Sequence, residues 1–167
     1  MTHETFTIER TYRAAVERVF DAWADPVKKR RWFVEGEGFQ IDSHSMDFKV
    51  HGFERSRFRP QDGPAMTLDS VYHVIVPNQC IVNSYDMTVD GKPLSVSLST
   101  LTFESQRAGT LLRYTEQVVF FDGMDGLESR RRGCQALMDK LAGELGEAGE
   151  KNETPHRMEH DDARRML

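Results

Sequence analysis

This 167-residue chain has only two cysteines, Cys80 and Cys134. That is too few for a disulfide scaffold, and their separation is not the spacing of a zinc site. Sparse thiols of this kind fit a reducing compartment, so a cytoplasmic location is expected. No apolar run approaches the roughly eighteen residues of a transmembrane helix, so no membrane span is expected. The opening stretch, MTHETFTIERTYRAAVERVF, has no apolar h-region and carries acids early, so a secretory leader is not expected either. There is no Gly-rich phosphate loop, no Gly-x-Ser-x-Gly elbow and no pair of carboxylates at a fixed catalytic spacing. Positive charge is also in deficit: 22 Lys and Arg stand against 27 Asp and Glu, a net charge of −5. That balance argues against a general nucleic-acid coat. What is present is 38% hydrophobic and 10% aromatic residues, over the length of one ordinary domain.

The pattern along the chain falls into three zones. In the first, FTIERTY alternates, with Phe6, Ile8, Arg10 and Tyr12 on one face, and reads as a half-buried strand. The period then changes. Ala15, Val16, Val19, Phe20 and Trp23 recur at helical spacing and make one apolar stripe. Asp25-Pro26 stops that helix and starts another, PVKKRRWF, since aspartate caps free amides and proline suits a first turn. Val27, Trp32 and Phe33 are its expected buried side.

The second zone, residues 38 to 121, reads as six strands: FQIDSHSM, FKVHGFERSRF, MTLDSVYHVIV, QCIVNSYDMTV, LSVSLSTLTFE and TLLRYTEQVVFF. Short turn clusters between them favour an antiparallel meander, with Asp90-Gly91 a strong hairpin signal. The third zone is a helix from about Asp125 to Leu145, long enough at 1.5 Å per residue to cross a sheet. Leu127, Arg130 or Arg131, Cys134, Leu137, Met138, Leu141 and Leu145 form its expected buried line. Residues 1 to 146 are therefore expected to be a single domain and residues 147 to 167 a polar, flexible tail.

Six to seven strands in one sheet leave an apolar face that only the last helix can cover. A twisted sheet curling around one rod leaves space where the surfaces diverge, and that space is the expected cavity. In the last strand, Leu112, Tyr114, Glu116, Val118 and Phe120 share the inward face. Burial there would raise the pKa of Glu116, as a general acid or base requires. The competing reading pairs Glu116 with Arg130 or Arg131, because buried charges are usually paired. Tyr72, Tyr85 and Tyr114 lie in three strands and are expected on the concave wall, either lining the cavity or filling core. Phe39, Met46, Phe48, Met66, Met87 and Phe103 are expected in the core.

His44 and His51, with Asp42 and Asp47 nearby, have the residue types of a two-His carboxylate site, but nothing in their spacing selects one. No metal is expected. His156 and His160 are spaced i, i+4 in the tail and read as solvated. Cys134 reads as a small buried thiol. The basic groups Lys28 to Arg31, Arg55/Arg57/Arg59 and Arg130 to Arg132 read as solvated faces.

VFDAWADPVKKRRWF resembles the opening motif of the activator of heat-shock-protein ATPase-like branch of the START/SRPBCC superfamily. His51-Gly52, Tyr72 with Val76-Pro77, GTLLRYTEQVVFFDG and ESRRRGCQALMDKLAGEL are similar to later segments in the same order. The resemblance covers residues 5 to 146, with His51 standing where the family often has a glycine. It implies an α+β helix-grip fold, with a curved antiparallel sheet of six to seven strands around a long C-terminal helix and two short helices after the first strand. This fold hosts lipid carriers, hormone receptors, cyclases and chaperone regulators.

The expected function is binding of a small, largely apolar molecule between sheet and helix. Glu116 and Arg130 would be its polar anchors, with Tyr72, Tyr85, Tyr114, Leu112, Leu127 and Cys134 around it. Two alternatives stand beside it: a cyclase- or dehydratase-like enzyme using Glu116 and a tyrosine, and a module that regulates a chaperone or another protein. No cofactor and no nucleic acid are expected. A second copy of the chain remains open as a partner.

Overall fold

A computed structural model describes residues 1–35, 38–121 and 126–147. Seven strands form one antiparallel sheet: β1 (Thr2–Tyr12), β2 (Phe39–Met46), β3 (Phe53–Pro60), β4 (Met66–Val76), β5 (Cys80–Val89), β6 (Lys92–Gln106) and β7 (Gly109–Phe120). Their order is β1-β7-β6-β5-β4-β3-β2. β2 to β7 are thus a plain meander, and β1 closes the far edge against β7. Helices α1 (Val16–Ala24) and α2 (Pro26–Lys29) follow β1, and α3 (Leu127–Glu144) ends the described chain. The expected start of α3 at Asp125 and the histidines 156 and 160 lie outside the described residues, as does everything in the expected tail beyond Glu147.

Local chemistry accounts for the breaks. Asp90 (φ 48°) and Gly91 (φ 75°) both take left-handed backbone between the paired Val89 and Lys92, the two-residue turn whose twist matches flanking strands. The expected strand from Phe48 begins instead at Phe53. His51 is left-handed (φ 65°), and a Cβ on Gly52 would lie 2.0 Å from the Asp47 carbonyl oxygen. Residues 48 to 52 therefore form a tight turn, which an extended strand cannot accommodate.

At the α1–α2 junction, Asp25 Oδ1 accepts from the amides of Val27 and Lys28, both at 2.9 Å, with Pro26 in the first turn. The rest of the basic segment is a π-helical turn, Arg30–Val34. Val27, expected to be buried, is 65% exposed, while Lys29 is 5% exposed. Trp32 is buried as expected, its indole donating to the Ala22 carbonyl at 2.8 Å.

α3 spans about 27 Å at the standard rise. Its buried line is Arg130, Cys134, Met138 and Leu141, continued by Leu145. Tyr12 donates to the Met138 carbonyl at 3.0 Å, and Arg31 pairs with Glu144 at 2.5 Å. Glu147, placed in the tail by its sequence, accepts from the Arg13 and Ala14 amides at 2.9 and 2.6 Å. No helix among the described residues is long and apolar enough to cross a membrane.

Candidate functional site

Between the concave face of the sheet and α3 lies a cavity of about 520 Å³, within the range of small-molecule sites. The two-residue period of the strands builds its wall. Glu54, Ser56 and Phe58 come from β3, Met66, Leu68, Ser70 and Tyr72 from β4, and Ile81, Asn83, Tyr85 and Met87 from β5. Cys134, Leu137 and Met138 of α3 face them, and Trp23, Lys29 and Phe33 close one side. Phe39, Met66 and Met87, expected in the core, line the cavity; Phe103 is buried in the core, and Met46 and Phe48 pack against it.

One polar node joins β7 to α3. Glu116 is 0% exposed. Its Oε1 accepts from Arg130 Nη1 at 2.9 Å and from Ser97 Oγ at 2.8 Å, and its Oε2 accepts from the Tyr114 hydroxyl at 2.6 Å. Arg130 also donates to Ser95 Oγ at 2.7 Å and to the Tyr85 hydroxyl at 3.1 Å, and its guanidinium lies 5.4 Å from the Phe120 ring centre. Burial disfavours a charged guanidinium, but Tyr85 and Glu116 outweigh it and hold Arg130 protonated above the usual arginine range. Burial, followed by neighbouring groups, pushes Tyr114 well above the ordinary phenol value. The choice between Arg130 and Arg131 is thereby settled: Arg131 is exposed and Arg130 makes the pair.

A second node, which sequence reasoning missed, lies across the cavity. Glu54 and Lys29, both buried, pair at 2.5 Å. The Tyr72 hydroxyl donates to Glu54 Oε2 at 2.6 Å, and His44 Nε2 lies 3.1 Å from Oε1. Burial alone would raise the Glu54 pKa, but the Lys29 charge and the hydrogen bonds from His44, Lys29 and Tyr72 outweigh it and hold the carboxyl at about 2. Lys29 Nζ also stands over the rings of Phe33, Trp23 and Tyr72 at 4.8, 5.3 and 5.7 Å from their centres, a cation–π arrangement that offsets part of its desolvation.

A signal for this node was present. Arg55, Arg57 and Arg59 alternate outward, where Arg57 clamps Asp69 at 2.7 and 2.9 Å and Arg59 pairs with Asp42 at 2.9 Å. Glu54 therefore had to face in. Lys29 carried no comparable mark within a run of four basic residues.

Of the residues singled out by sequence, Arg130, Tyr72, Tyr85, Tyr114 and Cys134 line the cavity. Glu116 lies behind them as the partner of Arg130. Leu112 and Leu127 are not in the wall; Leu112 is fully buried in the core and Leu127 packs against it. Tyr72 belongs to the Glu54 node and not to that of Glu116. His44 turns to Glu54, and among the described residues no group of three or more His, Cys, Asp or Glu is placed to hold a metal ion.

Burial, then the nearby Glu116 carboxylate, pushes the Cys134 thiol up to about 12. Its thiolate fraction at pH 8 is about one in ten thousand. Iodoacetamide at pH 8 is therefore expected to leave Cys134 unmodified in the native protein and to reach at most the half-buried Cys80. Peptide mass spectrometry reads this directly, and a Cys134 adduct formed as fast as that of a denatured control would contradict the buried-thiol geometry.

Known proteins with this arrangement identify the family. The family model for Activator of Hsp90 ATPase homolog 1-like protein matches residues 13–146. An uncharacterized protein from Rhizobium leguminosarum shares the fold at a TM-score of 0.83 and 37% identity, over 87% of this chain and 95% of that one. The Mll3558 protein from Rhizobium loti gives a TM-score of 0.80 and 46% identity, over 86% and 98%. At 17% identity, the AHSA1-like protein from Aeromonas hydrophila matches in fold alone, with a TM-score of 0.65 over 92% of this chain and 100% of that one. A comparison with curated proteins finds no match. The helix-grip architecture, the matched segment and the two rhizobial relatives agree: the chain belongs to the Activator of Hsp90 ATPase homolog 1-like family.

Proposed function

We propose that this protein binds one small, largely apolar molecule between the sheet and α3. The observation that carries this reading is the cavity of about 520 Å³, with walls of aromatic, aliphatic and thioether side chains interrupted by a few fixed polar groups. An apolar guest gains from leaving water at roughly 25 cal/mol per Å² of surface buried. The site's buried charged groups, Lys29 with Glu54 and Arg130 with Glu116, are held by their own hydrogen bonds and need not reorganise to receive it. Two free thiols suit a reducing compartment, and we place the protein in the cytoplasm. Glu116 offers little to acid–base chemistry, since both of its oxygens are occupied and neither reaches solvent.

Native mass spectrometry of freshly purified protein, followed by titration with the uncharged dye Nile red, tests the proposal. A co-purified small mass, or one dye bound per chain with blue-shifted emission, is the expected result. Trp23 lines the cavity, so its fluorescence is expected to fall as the dye enters. Absence of both a co-purified mass and saturable dye binding would overturn the reading.

A further inference from the structure

Ion pairing around the cavity leaves one cation over. Lys29 is closed on Glu54 and Arg130 on Glu116. Lys140 also lines the cavity and makes no ion pair among the described residues. Its Nζ lies 5.8 Å from the centre of the Phe39 ring. The acids nearest to it along the chain and on β2 are already engaged. Glu144, one helical turn on, is held by Arg31 through both carboxylate oxygens. Asp139 is held by Arg10, and Asp42, on the strand that carries Phe39, by Arg59. The cavity lining itself holds one acid, Glu54, which is buried and paired.

The place of Lys140 gives this charge its meaning. Gly133, Ala136 and Lys140 recur on one face of α3 and line the cavity, yet each is exposed or half-exposed. Phe39, Phe58 and Met66, lining residues from β2, β3 and β4, are exposed or half-exposed too. These six residues mark the open side of the cavity, whereas Lys29, Glu54 and Arg130 are buried. A lysine at such a rim lays its apolar stem along the wall and keeps its ammonium hydrated.

From this unpaired cation at the rim of an apolar space, we infer that the occupant is an amphipathic monocarboxylate, its body inside the cavity and its head received by Lys140. This rests on the cavity being a binding site and names the class of guest. The body gains by leaving water. The head stays where water reaches it and escapes the heavy cost of burying an ion. Entry the other way round would strand the carboxylate among apolar walls, beside charge pairs already closed. One ammonium matches one negative charge, and a phosphate monoester, at about −1.5 to −2, would exceed it. A cationic head would meet a like charge.

Decanoate, decanol and decylammonium share an apolar chain and differ in the charge of the head. Calorimetric titration is expected to show decanoate binding about threefold tighter than decanol, the worth of a partly exposed ion pair, with decylammonium weakest. That preference is expected to shrink at about 1 M salt, which screens exposed charges. Lys140→Gln is expected to bring decanoate to the level of decanol, and Lys140→Glu to put it below. Lys140 is half-exposed, so both variants are expected to keep the fold, which circular dichroism checks.

Equal affinities for decanoate and decanol, or decylammonium binding tightest, would overturn the carboxylate class while leaving the cavity reading intact. A preference for decanoate that survives both substitutions would overturn Lys140 as its receiver. If none of the three probes binds and no mass co-purifies, the cavity reading itself fails, and this inference with it.

Discussion

Arg130→Met is expected to lower stability by about 3–5 kcal/mol, the usual cost of stranding one member of a buried ion pair. Glu116 would keep its hydrogen bonds from Ser97 and Tyr114 but lose the only cation bonded to it among the described residues. A domain has about 5–15 kcal/mol in hand, so the loss is a large share of the total. Urea denaturation followed by far-ultraviolet circular dichroism measures it. The double variant Glu116→Gln/Arg130→Met is expected to recover much of the loss, because the amide carries no buried charge, its oxygen accepts from one of the two hydroxyls and its NH2 donates to the other. A single variant costing under about 1 kcal/mol would mean that the pair is solvated and does not tie β7 to α3.

Glu54 is expected to make the fold acid-sensitive. Its carboxyl is held at about 2 against an ordinary value of 4.5. The unfolded chain therefore takes up a proton near pH 4.5, which the folded chain refuses until about pH 2. The stabilisation is fully present above the unfolded value, drains away as pH falls from about 5 towards 2, and amounts to something on the order of 3 kcal/mol. Glu54→Gln is expected to be less stable at neutral pH, because Lys29 is then buried without a carboxylate, and to lose less on acidification. The two stability curves should converge near pH 2. Parallel curves would show that Glu54 is not the group responsible.

Much of this architecture could be read from local pattern. The alternation through β7 put Leu112, Tyr114 and Glu116 on one face, and Asp90-Gly91 marked a hairpin that both left-handed residues realise. Both signals are short-ranged, since they depend on a two-residue period and on the backbone freedom of a turn. The burial of Lys29 was hidden for a different reason. Lys29 stands three and four residues before Trp32 and Phe33, on their face of the helix, but a lysine there reads as solvent-facing until its partner Glu54 is known. Val27 was misplaced because, five residues before Trp32, it falls on a different face of the helix. Glu54 sits between those cases. Its inward direction followed from the outward arginines of β3, but its partner came from a helix far away in sequence, and such a meeting is a product of tertiary packing. The place of Leu112 and Leu127 was likewise a matter of depth: facing the core is not the same as reaching the open space within it.

The contacts of α3 give it the character of a beam clamped at both supports. At one end the Arg130 guanidinium holds it to the sheet. At the other, Glu147 grips the backbone where β1 turns into α1. The gap beneath a clamped beam is set by its fastenings more than by whatever lies under it, so the width of this cavity is governed in part from Glu147, which stands outside its lining. Changes at Glu147, remote from any guest, would alter the size of molecule admitted before they altered the chemistry that receives it.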